Sequence, residues 1–574
     1  MLESRLMRLI SARQWALILL SALLQIAMFP IAGPLPHWRA ALCWIALVPF
    51  LVALLRAAPG KEPLTIPHAA LMGYVCGIVW YMGNCSWIYQ TMHLYGGLPG
   101  PVAFLVLILF SLYLGLYHAL FAAIVVAVRR SSFDIRGALL CSPFAWVAVE
   151  LARARITRFP WDLLGYTQID NLFLVGAATF GGVMCISFSI VLINAAIVPL
   201  FLRSGWSRIT APAVAVAMAV ALQLSNSDST LQQIKDRSSQ KIAVMMQENI
   251  EVGAVGRESE QLSARQELDQ FSVASLHPDA PNKSPDWKLQ GMPIDLFRRP
   301  DYIIWPEAPS HLMSSDPAFR EAVGQLAIES KATLIAGSLG VDRSPIPARG
   351  YYLYDSASII NSAGQYSGRY DKIHLVPWGE YIPFKQFFSF ADKLTEGVGD
   401  MDRGSARTVF NLDGHRFGVF VCYESIFGDE VRQFALSGAE VLVNISDDGW
   451  YGDSGAPWQH LNMVRMRAVE NRRWILRSTN TGVTAAIDTR GQIAYEAPRH
   501  VRGAFAFPFE FVPANTASPY TRYGDFVAFL CAIVTVGLLI MLRLRFVAPP
   551  WFRPMEFQPS VYRDGTTRCL YGLR

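Results

Sequence analysis

Long stretches without a formal charge constrain this chain more than any other feature. Gln14–Pro36, Ala40–Leu55, Pro63–Met92, Pro101–Val128, Leu172–Leu202 and Phe526–Leu542 contain no Asp, Glu, Lys or Arg. Each is about long enough to cross a hydrocarbon layer of roughly 30 Å at 1.5 Å per residue. Gly137–Val149, which ends at Glu150, and Ile209–Leu224 are shorter candidates of the same kind. Counting both gives about eight spans, seven before the long polar stretch and one after it. The first run follows Arg5, Arg8 and Arg13, as a signal peptide would. It lacks a convincing small-residue cleavage site and more spans follow, so it reads as an anchor.

With eight spans, Arg5/Arg8/Arg13, Arg56/Lys61, Arg129/Arg130/Arg136, Arg203/Arg208 and Arg543/Arg545 fall on one side. That side is expected to be the cytoplasm. Both termini are then cytoplasmic and the long polar region lies outside. The net charge of +5 reflects this topology. It does not indicate a nucleic-acid partner, because the polar region has no basic cluster with interleaved aromatics. One loop, "RARITRFPWD" (153–162), places three arginines on the outer side. Two readings stay open: interfacial snorkelling, or contact with lipid phosphates.

Six of the eight cysteines lie in apolar runs, and Cys569 is in the C-terminal tail. Cys422 is the one cysteine of the polar region, where an oxidising compartment would favour pairs. A lone thiol there is either buried and inert or reactive and used. Around it the pattern is α/β. Short β-rich runs at 241–247, 301–307, 333–339, 351–360, 416–422, 439–446 and 483–489 alternate with helical patterns at 316–330, 427–437 and 458–473.

Polar groups cluster where these strands end, the usual place for catalytic groups in α/β sheets. "IIWPEAP" ends in Glu307, "GRYDKIHLVPWGEYIPF" carries Lys372 and Glu380, and "GVFVCYES" carries Cys422, Tyr423 and Glu424. A thiol attacks as thiolate. A carboxylate can take its proton, and an ammonium can bind the oxyanion formed on attack at a carbonyl. Taken singly, a lone cysteine is usually packing, and a Glu after Trp-Pro or a Lys in "YDKIHL" is usually a surface charge.

The three segments in this order resemble the motifs of the nitrilase (carbon–nitrogen hydrolase) superfamily. "NISDDGWYGDSGAPWQHLNMVRMRAVENRR" (444–473), "LRSTNTGVTAAID" (476–488) and "SPFAWVAVELARARITRFPWDLLGY" (142–166) extend the likeness into both halves. With the spans, the chain is similar to the apolipoprotein N-acyltransferase family of the bacterial inner membrane. That resemblance implies an αββα sandwich on a bundle of about eight transmembrane helices. It divides the chain into N-terminal spans (1–224), an extracytoplasmic nitrilase-like domain (225–520), a C-terminal span (521–548) and a cytoplasmic tail (549–574). It implies transfer of a fatty acyl chain from a phospholipid to the α-amine of an S-diacylglyceryl cysteine on an apolipoprotein. The expected steps are a thioester on Cys422, then discharge by the amine.

By the same resemblance Glu307 is the general base, Lys372 the oxyanion stabiliser and Cys422 the nucleophile. Glu380, Tyr423 and Glu424 would support the site or bind substrate. No metal or organic cofactor is implied, and His460, without ligand-spaced partners, reads as structural. Asp447 departs from the Asn usual in the family. The usual Lys-Trp pair after "QENIE" is missing, and 251–288 does not align. In "IPFKQFFSF" (382–390), Phe384, Phe387, Phe388 and Phe390 suggest either core packing or a gate at the bilayer surface. The nearest rival is a membrane-anchored amidase in which water resolves the thioester. A rival of another class is a transporter or receptor with an outer binding domain; the spans lack the buried charges typical of ion-coupled transport, with Glu150 the near-exception.

Overall fold

The uncharged runs are helical in a computed structural model, which describes residues 10–56, 63–131, 135–202, 209–224, 240–250, 272–276, 299–307, 313–344, 350–381 and 401–547. In chain order the apolar helices are α1 (Ala12–Ala27), α2 (His37–Leu55), α3 (Ile66–Asn84), α4 (Gly100–Arg130), α5 (Ile135–Thr157), α6 (Val183–Leu202) and α7 (Thr210–Leu224). The helix Phe526–Val547 returns after the α/β half. Among the described residues, six helices are long and apolar enough to cross a membrane; α1 and α7 are shorter.

Several boundaries differ from the sequence reading, each for a local reason. The first run extends to Pro36, but α1 ends at Ala27, ahead of Pro30, Gly33 and Pro34. The run from Leu172 becomes a continuous helix only at Val183, after Gly182, whose φ is +74°. α5 was expected to be short and to stop at Glu150. It continues to Thr157, because the Glu150 carboxylate is buried and accepts hydrogen bonds from Trp146 Nε1 and Leu164 N at 2.9 Å. α3 and α4 approach closely: a Cβ at Gly77 would lie 2.9 Å from Gly115 Cα. Small residues permit that approach where the lipid gives no hydrophobic drive.

The α/β half contains β1 (Lys241–Gln247), β2 (Tyr302–Ile304), β3 (Thr333–Arg343), β4 (Tyr351–Ile360), β5 (Tyr366–Asp371) and β6 (Val409–Leu412). It continues with β7 (His415–Val421), β8 (Val441–Ser446), β9 (Trp474–Thr479), β10 (Ala485–Ile487), β11 (Ile493–Glu496) and β12 (Gly503–Phe509). They form two six-stranded sheets, ordered β12-β1-β2-β3-β4-β5 and β11-β10-β9-β8-β7-β6. Side chains alternate along a strand. Ala243 and Met245 therefore face the second sheet, with Tyr302, Val419, Val421 and Val443. Val244 and Met246 face outward and meet Phe319, Val323 and Leu326 of α8 (Pro317–Ser330). On the other side lie α9 (Gly428–Leu436) and α10 (Ala456–Asn471). This is the expected layering of helix, sheet, sheet and helix. The final helix, Phe526–Val547, is α11.

α10 joins the two halves. Leu461, Val464 and Ala468 pack into the sheet core, whereas Ala456, Met463, Met466 and Val469 pack into the core of the apolar helices. Gln459 Nε2 donates to the carbonyls of Pro30 and Asn84 at 2.9 and 3.2 Å. Arginines of 153–158 also reach groups at this junction. Arg153 is buried and donates to Tyr81 Oη at 2.8 Å. Arg155 pairs with Asp429 and Asp525, and Arg158 lies 4.0 Å from Glu430. Arg153 and Arg155 are thus held by protein groups, while the Arg158 side chain remains 47% exposed. The four phenylalanines of 384–390, nearly all of 251–288 and the 549–574 tail lie outside the described residues.

Candidate active site

Three strand ends converge. Glu307 follows β2, Lys372 follows β5, and Cys422 follows β7, so two groups come from the first sheet and one from the second. Cys422 opens a tight turn, Cys422–Ile426, with φ of +46°. A non-glycine residue there is strained, and such strain persists where the surroundings over-determine it. Here the surroundings are rigid. Val421 N donates to Glu424 at 2.8 Å, and His460 Nε2 lies 3.2 Å from the Cys422 carbonyl.

Lys372 is 0% exposed. Its Nζ donates to Glu307 Oε1 at 2.8 Å, to Asp355 Oδ2 at 3.0 Å and to Glu380 Oε1. Three carboxylates whose oxygens lie within 4.8 Å of one another could hold a metal ion; the cation among them here is the lysine ammonium. Glu307 Oε2 accepts from the Asp447 backbone N–H at 2.6 Å. Glu380 Oε2 accepts from Val376 N at 2.9 Å, which folds the 372–380 loop over the lysine.

Burial pushes every acid in this cluster upward, but the net result differs between them. For Glu307 the Lys372 ammonium and its hydrogen bonds outweigh burial, so its carboxyl sits below the ordinary range and is ionised. Asp355 is driven well above it by burial, despite Lys372, with the Glu307 charge adding to the rise. Glu380 is raised by burial too, against Lys372. Burial would lower Lys372, yet the three carboxylates hold it well above its usual value. The Cys422 thiol is raised well above its normal value, first by burial and then by the Glu307 charge. Lys372 and a hydrogen bond with Ser446 only partly offset this. The direction of that shift favours a neutral thiol at rest, and the side chain is 5% exposed.

The supporting residues divide. Glu380 touches Lys372 directly. Glu424 accepts from Ile373 N, His374 N and Tyr370 Oη at 2.7, 3.1 and 2.8 Å, as well as from Val421 N. It clamps the lysine loop to the Cys422 turn and has no face left for substrate. Tyr423 is buried, edge-on to Phe427 at 5.3 Å, and belongs to the core of the apolar helices.

Sequence reading missed Asp355, and it missed a buried network behind Cys422. His460 lies 2.8 Å from Asp448 Oδ1 and 2.6 Å from Ser425 Oγ, while Arg477 Nη2 donates to Asp448 Oδ2 at 2.5 Å. His460 is fully buried and braces the turn that holds Cys422. Trp161, from the loop after α5, stacks over its ring at 5.8 Å.

Residues 13–196 match the model of the apolipoprotein N-acyltransferase N-terminal domain, and residues 299–504 match that of carbon-nitrogen hydrolase. The apolipoprotein N-acyltransferase of Geobacter metallireducens is 32% identical over 547 residues, covering 94% of this chain and 96% of that one. The chain belongs to the apolipoprotein N-acyltransferase family. The Pseudomonas syringae pv. tomato enzyme of that name is 31% identical over 87% of this chain and 95% of its own. As a member of the apolipoprotein N-acyltransferases, this chain is a membrane-embedded acyltransferase built on a nitrilase-like domain. Its family membership disfavours the amidase reading.

Proposed function

We propose that this chain moves a fatty acyl group from a membrane phospholipid to the α-amine of an apolipoprotein's N-terminal S-diacylglyceryl cysteine, through a thioester on Cys422. One observation carries the lipid part of this reading. Cys422 belongs to the core between the sheets, whereas Tyr423, Ile426 and Phe427 of the same turn belong to the core of the apolar helices. The sulfur thus sits at the boundary between the two halves. Acyl chains favour hydrocarbon by about 0.8 kcal/mol per buried CH2, so a nucleophile at that boundary avoids extracting them.

Glu307 takes the thiol proton as sulfur attacks the ester carbonyl. The Lys372 ammonium stabilises the oxyanion, and the proton passes to the departing lysophospholipid oxygen. The amine then attacks the thioester, Glu307 again accepts a proton, and sulfur leaves as thiol. The α/β domain, 225–520, faces away from the cytoplasm of the inner membrane and both termini face into it; the basic residues flanking the apolar runs support this orientation.

Incubation with phospholipid and a diacylated lipopeptide tests the assignment. Amide-linked fatty acid on the lipopeptide supports transfer. Free fatty acid as the sole product would replace it with hydrolysis.

A further inference from the structure

Turning an ammonium into an amide removes two protons from nitrogen. One accounts for the proton that returns to sulfur through Glu307. The other can leave to solvent before attack, or pass to a second acceptor near the first. Among the acids at the site, Asp355 is buried against Lys372, Glu380 is held by Lys372 and Val376 N, and Glu424 is filled by four donors.

Asp447 differs from all of these. Its backbone N–H holds Glu307 Oε2 at 2.6 Å, so the residue adjoins the base. It is half-buried, between the buried Ser446 and Asp448. Oδ1 accepts from Gly449 N at 2.9 Å and Asn480 Nδ2 at 3.1 Å, while Asn480 is itself locked to the backbone of Ile250. Oδ2 makes no hydrogen bond among the described residues. The carboxyl is thus oriented through Oδ1, with Oδ2 not engaged by the described residues.

We infer that Asp447 binds the acceptor's α-ammonium and takes its first proton, leaving Glu307 to take the second. The inference rests on the thioester reading above. In the step, the N–C bond forms, the C–S bond breaks with its electron pair going to sulfur, one proton reaches sulfur through Glu307, and the other passes from Asp447 to water. Burial first, then the Glu307 charge and, more weakly, Asp448, raise the Asp447 carboxyl to about 7, against the hydrogen bonds from Gly449 and Asn480. A carboxyl in that range can exchange a proton with an amine of pKa about 7.7–8.0.

The test uses the full-length protein with Cys422 acylated by phospholipid in the absence of acceptor. Discharge is then timed with a diacylglyceryl-cysteinyl lipopeptide, which is mostly an ammonium at pH 7, and with hydroxylamine, which is uncharged there. Asp447→Asn keeps an Oδ1 acceptor for Gly449 and Asn480. It is expected to slow lipopeptide discharge about tenfold at pH 7, because only about one-tenth of the amine is neutral. Hydroxylamine discharge and the preceding acylation should change by less than about threefold, and raising the pH to 9 should restore the lipopeptide rate. Equal loss with both nucleophiles, no loss with the lipopeptide, or a loss that persists at pH 9 would overturn the assignment. If the unaltered protein forms no acyl-Cys422 at all, the thioester reading falls first and this inference with it.

Discussion

The Lys372 ammonium lies 3.0 Å from Asp355, an acid set in the middle of strand β4. With Glu307 and Glu380 also on that ammonium, the cluster has one positive charge against three acids. Asp355 yields, its carboxyl driven up by burial and then by Glu307 against the pull of Lys372. Asp355→Asn imitates the neutral form and is expected to change stability by less than about 1 kcal/mol. Asp355→Ala leaves a buried donor short of an acceptor and should cost about 1–3 kcal/mol. Thermal unfolding of the two variants, measured side by side, separates these outcomes.

Glu307 is held below the ordinary carboxyl range, so it stays ionised, as the proposed base must, at every pH above its unfolded value of about 4.3. Its charged-state contribution to stability is present above that value and is lost as pH falls through the lower folded one. Acylation of Cys422 should therefore persist to about pH 5 and fail only in stronger acid. Glu307→Gln should slow acylation by about 10²–10⁴ at neutral pH and, because it removes a charged partner of the buried Lys372, should also lower the unfolding temperature.

The raised thiol makes a separate prediction. Alkylation of Cys422 by iodoacetamide, which needs the thiolate, should be slow at pH 7 and still rising beyond pH 9. A rate that levels off near pH 7 would show a resting anion instead.

Arg477 and Asp448 form a fully buried pair behind the nucleophile turn. Arg477→Met strips Asp448 of that partner and should destabilise the protein by about 3–5 kcal/mol. Adding Asp448→Asn removes the stranded charge and should recover part of the loss, which a double-mutant cycle of unfolding measures.

Arg155 bridges Asp429 of α9 and Asp525 at the start of α11, with its side chain about a quarter exposed. Solvent screening limits the effect of Arg155→Ala to about 1 kcal/mol. The expected signature is local: amide exchange in 428–436 about fivefold faster, with the sheet strands unaffected.

What the sequence revealed follows from where each signal lies. Glu307 and Cys422 were legible because each ends a β-rich run, and all three, Lys372 included, sit in recognisable segments. Asp355 was not, because it interrupts the run "YYLYDSASII" and an acid in a strand ordinarily points to solvent. A buried Ser356 and Ser358 beside it were the available signal that this stretch faces a polar interior. The Asp448–His460–Arg477 network joins residues 12 and 17 positions apart on three different elements, a relation only the parallel pairing of β8 with β9 and the placement of α10 create. The strands β5, β6, β9, β11 and β12 went unmarked for related reasons. β12 carries Pro508, a residue tolerated at a sheet edge, and β9 carries Arg477, whose charge is met by a buried acid. The arginines of 153–158 read as surface charge because their partners Asp429, Glu430 and Asp525 lie in the far half of the chain.

Sulfur as the carrier of the acyl group is the point on which the proposed reaction depends. Intact-protein and peptide mass spectrometry after exposure to phospholipid alone measures this directly. The expected result is one fatty acyl mass added at Cys422, absent from Cys422→Ala and removed when a diacylated lipopeptide amine is supplied. A protein that makes the amide-linked product while Cys422 stays unmodified at every time point, or while Cys422→Ala keeps its activity, would contradict it.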